Sequence, residues 1–90
     1  MATRLLVTGR VQGVGYRQWM CREAEQLGLK GWVRNLRDGS VEAMIDGDPA
    51  AVRKIIARAR EGPPAARVTG LVTEEAVSGE LSAFEWRPTA

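Results

Sequence analysis

Histidine is absent from this 90-residue chain, and its absence excludes several kinds of catalytic site. Without an imidazole there is no Ser-His or Cys-His nucleophile pair, no histidine general base and no histidine metal ligand. The acidic residues form no tight cluster along the sequence either, so we expect no metal ion. Any catalysis by this chain therefore has to rely on positioning and on fixed charge.

Cysteine and long apolar runs are also scarce. Cys21 is the single cysteine and has no partner for a disulfide within the chain. No apolar run approaches the ~18 residues that a membrane-spanning helix needs. The opening Met1-Ala2-Thr3-Arg4 leads directly into a strand-like run, without the pattern of a signal peptide. These features predict a cytoplasmic protein that does not contact a membrane.

Net charge and size indicate which partners and how many domains to expect. A formal net charge of +2 is too weak to indicate a nucleic-acid partner. Hydrophobic residues make up 44% of the chain and charged residues 27%, which is ordinary for a folded domain. We therefore expect a single domain over residues 1–90 with a compact core, and nothing in the sequence requires more than a monomer.

Hydrophobic patterns predict five strands and two helices. Strands are expected at residues 4–8, 31–35, 40–45, 67–73 and 83–87, with a less ordered segment at residues 74–81. The first helix is marked by an apolar stripe and ends near Gly28, whereas Asp48 and Pro49 mark the start of the second. Asp38-Gly39 is a hairpin turn signal between the second and third strands.

This order predicts an α+β fold, the ferredoxin-like split β-α-β sandwich. It has the element order βαββαβ plus a short edge strand, in an antiparallel sheet with both helices on one face. The apolar stripe of the first helix runs through Tyr16, Trp19, Met20, Ala24 and Leu27. Such a stripe indicates core packing rather than a ligand site.

A glycine-rich segment lies where the first strand pattern gives way to the first helix pattern. It reads Gly9-Arg10-Val11-Gln12-Gly13-Val14-Gly15-Tyr16-Arg17. Glycines allow close approach to a ligand, and the first N–H groups of a helix attract anions. A guanidinium adds a fork that matches phosphate or carboxylate. The pattern therefore indicates a phosphate-binding loop, while a tight turn with two solvated arginines remains the structural alternative.

Two familiar phosphate-binding loops do not fit this segment. A Walker A loop requires Gly-Lys-Ser/Thr after its spacer, but Gly13 is followed by Val14 and Gly15. The dinucleotide fingerprint requires another glycine where this chain has Gln18. The segment therefore points to an anion site of a different type.

Asn35 is the second candidate functional residue. It ends the second strand pattern just before the Asp38-Gly39 turn. Its amide both donates and accepts hydrogen bonds and is therefore able to hold a water molecule in one orientation. Asparagine also favours turns for backbone reasons, so a purely structural role is the alternative.

Together, these residues resemble the two signature motifs of the acylphosphatase family. The first is the glycine-rich segment, and the second reads Gly31-Trp32-Val33-Arg34-Asn35-Leu36-Arg37-Asp38-Gly39-Ser40-Val41. The resemblance extends to length, element order and the ending Phe84-Glu85-Trp86-Arg87-Pro88, and the glycine at position 15 matches the form common among prokaryotic members. Two long motifs at this separation are far more specific than either motif alone.

The resemblance implies hydrolysis of acyl phosphates to a carboxylate and inorganic phosphate, without a cofactor. It implies that Arg17 binds the phosphoryl group, together with N–H groups of Gln12, Gly13, Val14, Gly15, Tyr16 and Arg17. It also implies that Asn35 orients the attacking water. The expected partners are thus a small acyl phosphate and inorganic phosphate.

Two other functions are compatible with the same predicted fold. One is a catalytically silent phosphate-binding or regulatory domain, because one fold hosts many functions. The other is a nucleic-acid-binding module, but the strands lack the expected pair of stacking aromatic residues and the net charge is low. The two signature motifs favour the enzyme over both.

Overall fold

A computed structural model describes residues 2–77, 79 and 81–90 of the chain. The predicted order of strands and helices is confirmed. The elements are β1 (Ala2–Arg10), α1 (Tyr16–Gln26), β2 (Lys30–Asn35), β3 (Val41–Asp46), α2 (Pro49–Glu61), β4 (Arg67–Ala76) and β5 (Phe84–Arg87).

The fourth strand is longer than the sequence pattern predicts. Glu74, Glu75 and Ala76 were expected in a less ordered segment, but they pair with the first residues of β1. The antiparallel ladder with β1 therefore overrides the weak strand propensity of these residues. Of the rest of that predicted segment, Ser78 and Glu80 lie outside the described residues.

The sheet has the strand order β4-β1-β3-β2-β5. The pairs β1–β4, β1–β3 and β2–β3 are antiparallel, as predicted, but β5 pairs with β2 in parallel. The expectation of a wholly antiparallel sheet is therefore corrected to a mixed sheet. Both β2 and β5 run opposite to β4, so they are parallel to each other, and β5 lies at the edge of the sheet farthest from β4.

One face of the sheet packs against both helices and forms the core. The side chains of Leu5 and Val7 in β1 and of Val41, Ala43 and Ile45 in β3 are fully buried there. From the helices, Tyr16, Met20, Ala24, Ile55 and Ala59 pack against them, which confirms the apolar stripe predicted for the first helix. The core thus holds the start of α1 firmly against the sheet.

Local signals set the helix ends as predicted. The N–H of Gly28 donates to the carbonyl of Glu25, and the N–H of Leu29 donates to the carbonyl of Ala24. This pair of bonds is a Schellman motif, which closes α1. At the start of α2, the Asp48 carboxylate accepts a hydrogen bond of 3.1 Å from the backbone N–H of Ala50.

The other face of the sheet carries a cluster of ion pairs around Glu42. Arg4 and Arg34, on the strands flanking β3, donate to its two carboxylate oxygens at 2.6 and 2.7 Å. Burial opposes ionisation of Glu42, but the hydrogen bonds from both arginines outweigh it and lower the pKa of this carboxyl. The cluster therefore contributes to stability only while Glu42 is ionised.

Neither α1 nor α2 is long and apolar enough to cross a membrane, and these are the two helices of the described part of the chain.

Candidate functional site

The glycine-rich segment forms the connection from β1 to α1. Gly13 and Gly15 adopt left-handed backbone conformations with φ of 71° and 79°, which residues with a Cβ rarely adopt. Gly15 caps the helix, and its carbonyl accepts the first helical hydrogen bond, from Trp19, at 3.0 Å. The glycines thus turn the chain so that the helix begins directly behind the loop.

The start of α1 is an anion-binding environment. The N–H groups of Tyr16, Arg17 and Gln18 precede the first N–H that bonds within the helix, so they are available to an anion. No acidic residue occupies the first turn of α1. The helix dipole and these N–H groups together favour a negative charge at this point.

The side chain of Gln12 fixes the loop to the turn that follows β2. Its Nε2 donates to the carbonyl oxygens of Leu36 and Ser40 at 2.6 and 2.8 Å. The same two residues close the hairpin, because the Leu36 N–H donates to the Ser40 carbonyl at 2.8 Å. Gln12 therefore connects the loop to the end of β2, where Asn35 lies.

Arg17 is positioned by the last strand of the chain. Its guanidinium lies over the ring of Trp86, with Cζ 4.8 Å from the ring centroid. One guanidinium nitrogen, Nη1, also donates to the backbone carbonyl of Arg87 at 3.1 Å. This hydrogen bond uses one of the five guanidinium N–H groups, so the other N–H groups are available to bind an anion.

Asn35 ends β2 and is half-buried. It pairs with Val41 of β3, and its carbonyl accepts a hydrogen bond from the Ala90 N–H at 3.0 Å. Because its neighbour two residues earlier, Val33, is buried in the core, alternation puts the Asn35 side chain on the same face as the helices. The helix α1, which carries Arg17, packs on this same face of the sheet.

These features meet at a cavity of about 190 Å³. Five of the seven predicted site residues line it, namely Gly13, Gly15, Tyr16, Arg17 and Asn35. Two do not: Gln12 connects the loop to the hairpin, and Val14 packs against the core. The roles predicted for all seven in binding and hydrolysis remain predictions.

The cavity also includes residues that the sequence did not single out as site residues. Trp86 contributes an exposed ring from β5, Gln18 follows Arg17 on α1, and Val11 is a buried loop residue. The available signal for Trp86 was its spacing from Phe84, which puts both side chains on one face of the strand. That signal did not indicate proximity to Arg17, because it requires knowing that β5 lies beside β2.

Burial changes the pKa of two side chains on α1. Burial raises the pKa of the Tyr16 phenol, whose hydroxyl donates to the carbonyl of Ala59 at 2.7 Å. Burial, with the charge of Glu25, also raises the pKa of the half-buried Cys21 thiol. The prediction that Tyr16 packs in the core is confirmed, and Cys21 is half-buried.

Comparison with known proteins identifies the family. The family model described as Acylphosphatase matches residues 3–86 of the chain. The chain belongs to the acylphosphatase family. An acylphosphatase of Methylococcus capsulatus is 57% identical over 81 residues, which cover 89% of this chain and 88% of that protein. The predicted resemblance is confirmed, and the family agrees with an enzyme rather than a silent anion-binding domain.

Solved structures agree with this assignment. The crystal structure of acylphosphatase from Bacillus subtilis superposes with a TM-score of 0.91 at 36% identity, covering 96% of this chain and 97% of that one. The structure of an acylphosphatase from Coxiella burnetii gives the same TM-score at 37% identity, covering 96% of this chain and 90% of the other. The ferredoxin-like α+β fold is thereby confirmed for this acylphosphatase.

Within the described residues, no group of three or more histidine, cysteine, aspartate or glutamate side chains is arranged to hold a metal ion.

Proposed function

We propose that this acylphosphatase hydrolyses its substrates by direct attack of water on phosphorus, using Arg17 and Asn35 without a metal ion. The observation that carries the proposal is the meeting of three features at one cavity. The side chains of Arg17 and Asn35 and the N-terminus of α1 line it, although they come from different parts of the chain. The anionic phosphoryl group of an acyl phosphate can bind to Arg17 and to the N-terminus of α1.

Arg17 and the loop N–H groups bind the phosphoryl oxygens in this proposal. In a loose transition state, charge spreads over the three equatorial oxygens of the transferring group. Donors that are already in place stabilise this charge without reorganising. The contacts of Arg17 with Trp86 and with the Arg87 carbonyl support this role because they hold the guanidinium before substrate binds.

Asn35 holds the attacking water in line with the bond that breaks. The water oxygen forms a bond to phosphorus while the bond from phosphorus to the bridging oxygen breaks, and the carboxylate leaves with the electron pair. A carboxylate is a weak base and needs no general acid. The proton of the water passes to a phosphate oxygen, so the reaction also needs no histidine, and orientation is the contribution of Asn35.

The test is hydrolysis of benzoyl phosphate in ¹⁸O-labelled water with excess chelator. We expect turnover by the wild-type enzyme, with the label in inorganic phosphate and none in benzoate. Label in benzoate would show attack at the carbonyl carbon and contradict the proposed role of the phosphate loop. Loss of turnover on chelation would contradict a metal-independent reaction. Phosphate binding without turnover would support the silent anion-binding domain instead.

We also propose that the enzyme works as a monomer in the cytoplasm and does not bind nucleic acid. Every candidate group comes from one chain, so the site needs no second copy. A single cysteine that remains a free thiol suits a reducing compartment. The low net charge of +2 provides little attraction to nucleic acid. Sedimentation at working concentration and a salt-dependent gel shift test the first and last of these statements.

A further inference from the structure

Trp86 is a large apolar side chain that the fold leaves uncovered beside the phosphate loop. Its exposed fraction is 51%, whereas Phe84, two residues earlier on the same face of β5, is only 7% exposed. Trp86 pairs with Val33 of β2, and Asn35 lies two residues after Val33 on the same face of that strand. About half of the Trp86 surface remains exposed to solvent.

Trp86 contacts Arg17 and lies at the cavity. The Arg17 guanidinium lies over its ring, with 4.8 Å from ring centroid to Cζ. Trp86 also lines the cavity that Arg17 and Asn35 line. A substrate whose phosphoryl group is bound by Arg17 therefore places its acyl group close to this ring or in the solvent beyond it.

We propose that Trp86 determines the acyl-group preference of the enzyme, because its indole provides an apolar wall on which an aromatic acyl group packs. This inference rests on the proposed function. An aromatic ring gains both buried apolar area and favourable ring-to-ring geometry against tryptophan, whereas an acetyl group presents one methyl. The wall thus favours aromatic acyl phosphates over short aliphatic ones.

The test compares benzoyl phosphate with acetyl phosphate in three variants and the wild type. The measured quantity is the ratio of the two kcat/KM values, because a displaced Arg17 lowers both values and cancels in the ratio. We expect Trp86→Leu to lower this benzoyl-to-acetyl ratio about fivefold and Trp86→Phe to retain most of it. An unchanged ratio in Trp86→Leu would overturn the proposal.

Trp32→Leu is the matched control. Trp32 also lies against arginine side chains, with Arg34 and Arg87 over its ring at 4.7 and 5.0 Å. It projects from the opposite face of the sheet, away from the cavity, so we expect the ratio to stay at the wild-type value. A ratio that fell equally in Trp32→Leu would show a general effect of losing a tryptophan and would also overturn the proposal.

A second measurement needs only the wild-type protein and covers the case in which Trp86→Leu does not fold. Titration calorimetry with benzoylphosphonate and acetylphosphonate, which cannot be hydrolysed, compares the two acyl groups directly. We expect tighter binding of benzoylphosphonate, and equal affinities would refute the wall. If the wild type hydrolyses neither acyl phosphate, the proposed function fails. If it hydrolyses both and Trp86→Leu keeps the ratio, only this inference fails.

Discussion

Replacement of Arg17 by alanine separates the chemistry of the site from the stability of the fold. The change removes the only side-chain cation among the residues that line the described cavity. Removing one preorganised donor from a developing oxyanion costs ~10²–10³ in rate, and an arginine that neutralises a transferring phosphoryl group is worth ~10³–10⁵. We therefore expect kcat/KM for benzoyl phosphate to fall about 10³-fold, which corresponds to about 4 kcal/mol.

The cost of the same change to folding is much smaller. The hydrogen bond to the Arg87 carbonyl, at 3.1 Å, is worth about 1 kcal/mol. The cation–π contact with Trp86 adds about 0.5–1 kcal/mol. Release of the ordered side chain returns entropy of a similar size to one of these, so the net loss is about 1 kcal/mol. In a domain of this size, the melting temperature should fall by about 4–8 °C.

The assay measures steady-state turnover and thermal unfolding on the same preparations. Arg22→Ala is the control, because Arg22 is an exposed arginine of the same helix and its loss changes the net charge equally. It should keep activity within about twofold of the wild type. Arg17→Lys should also lose at least about 100-fold, since an ammonium cannot reproduce the planar fork.

Two results would refute this reasoning. One is folded Arg17→Ala protein with kcat/KM within tenfold of the wild type, because the site would then not depend on the guanidinium. The other is full activity in Arg17→Lys, which would reduce the role of Arg17 to a point charge. Added guanidinium ion should restore part of the activity of Arg17→Ala and none to a protein that has unfolded.

Three further variants test other parts of the structure. Asn35→Ala should lower kcat more than it raises KM for benzoyl phosphate, and an unchanged kcat would contradict the role in orienting water. Tyr16→Phe should lower the free energy of unfolding by about 1–2 kcal/mol in denaturant titrations, because it leaves the Ala59 carbonyl near the end of α2 without its hydroxyl donor; equal stability would show that another donor replaces it. Glu42→Gln should lower the free energy of unfolding by about 2 kcal/mol at pH 7, because both ion pairs of Glu42 are lost. The loss is no larger because the partly exposed arginines regain some hydration. The lowered pKa of Glu42 stabilises the fold above the unfolded pKa of about 4.3, and this contribution is lost as the pH falls through the folded value. The unfolding free energy of the wild type should therefore fall more steeply below about pH 5 than that of Glu42→Gln, and parallel pH profiles would contradict the assignment.

The order of the elements was predictable because each boundary depends on residues close together in sequence. Asp48 and Pro49 begin α2, and Gly28 ends α1 through bonds that span a single helical turn. The Asp38-Gly39 turn also forms where predicted, with the Asp38 carboxylate accepting from the N–H of Ser40. Such signals act through local dihedral angles and hydrogen bonds, which are encoded within a few residues.

The direction of β5 was not predictable in the same way. Alternation identified residues 83–87 as an edge strand, and the structure places β5 at the edge beside β2. Its own residues carry no signal for a parallel partner, because strand direction depends on how β4 and β5 are arranged at opposite edges. The extension of β4 through Glu74, Glu75 and Ala76 has a similar origin, since these residues form a strand by pairing with β1.

The candidate site shows the same division. The sequence by itself determined the glycine-rich turn, the start of α1 behind it and the presence of Arg17 and Asn35, because motif spacing and backbone conformation are local. Only the tertiary structure brought Gln12 to the hairpin and Trp86 to the guanidinium of Arg17. These contacts join segments far apart in the chain, and they exist because packing both helices on one face of the sheet gathers those segments at one edge of the core.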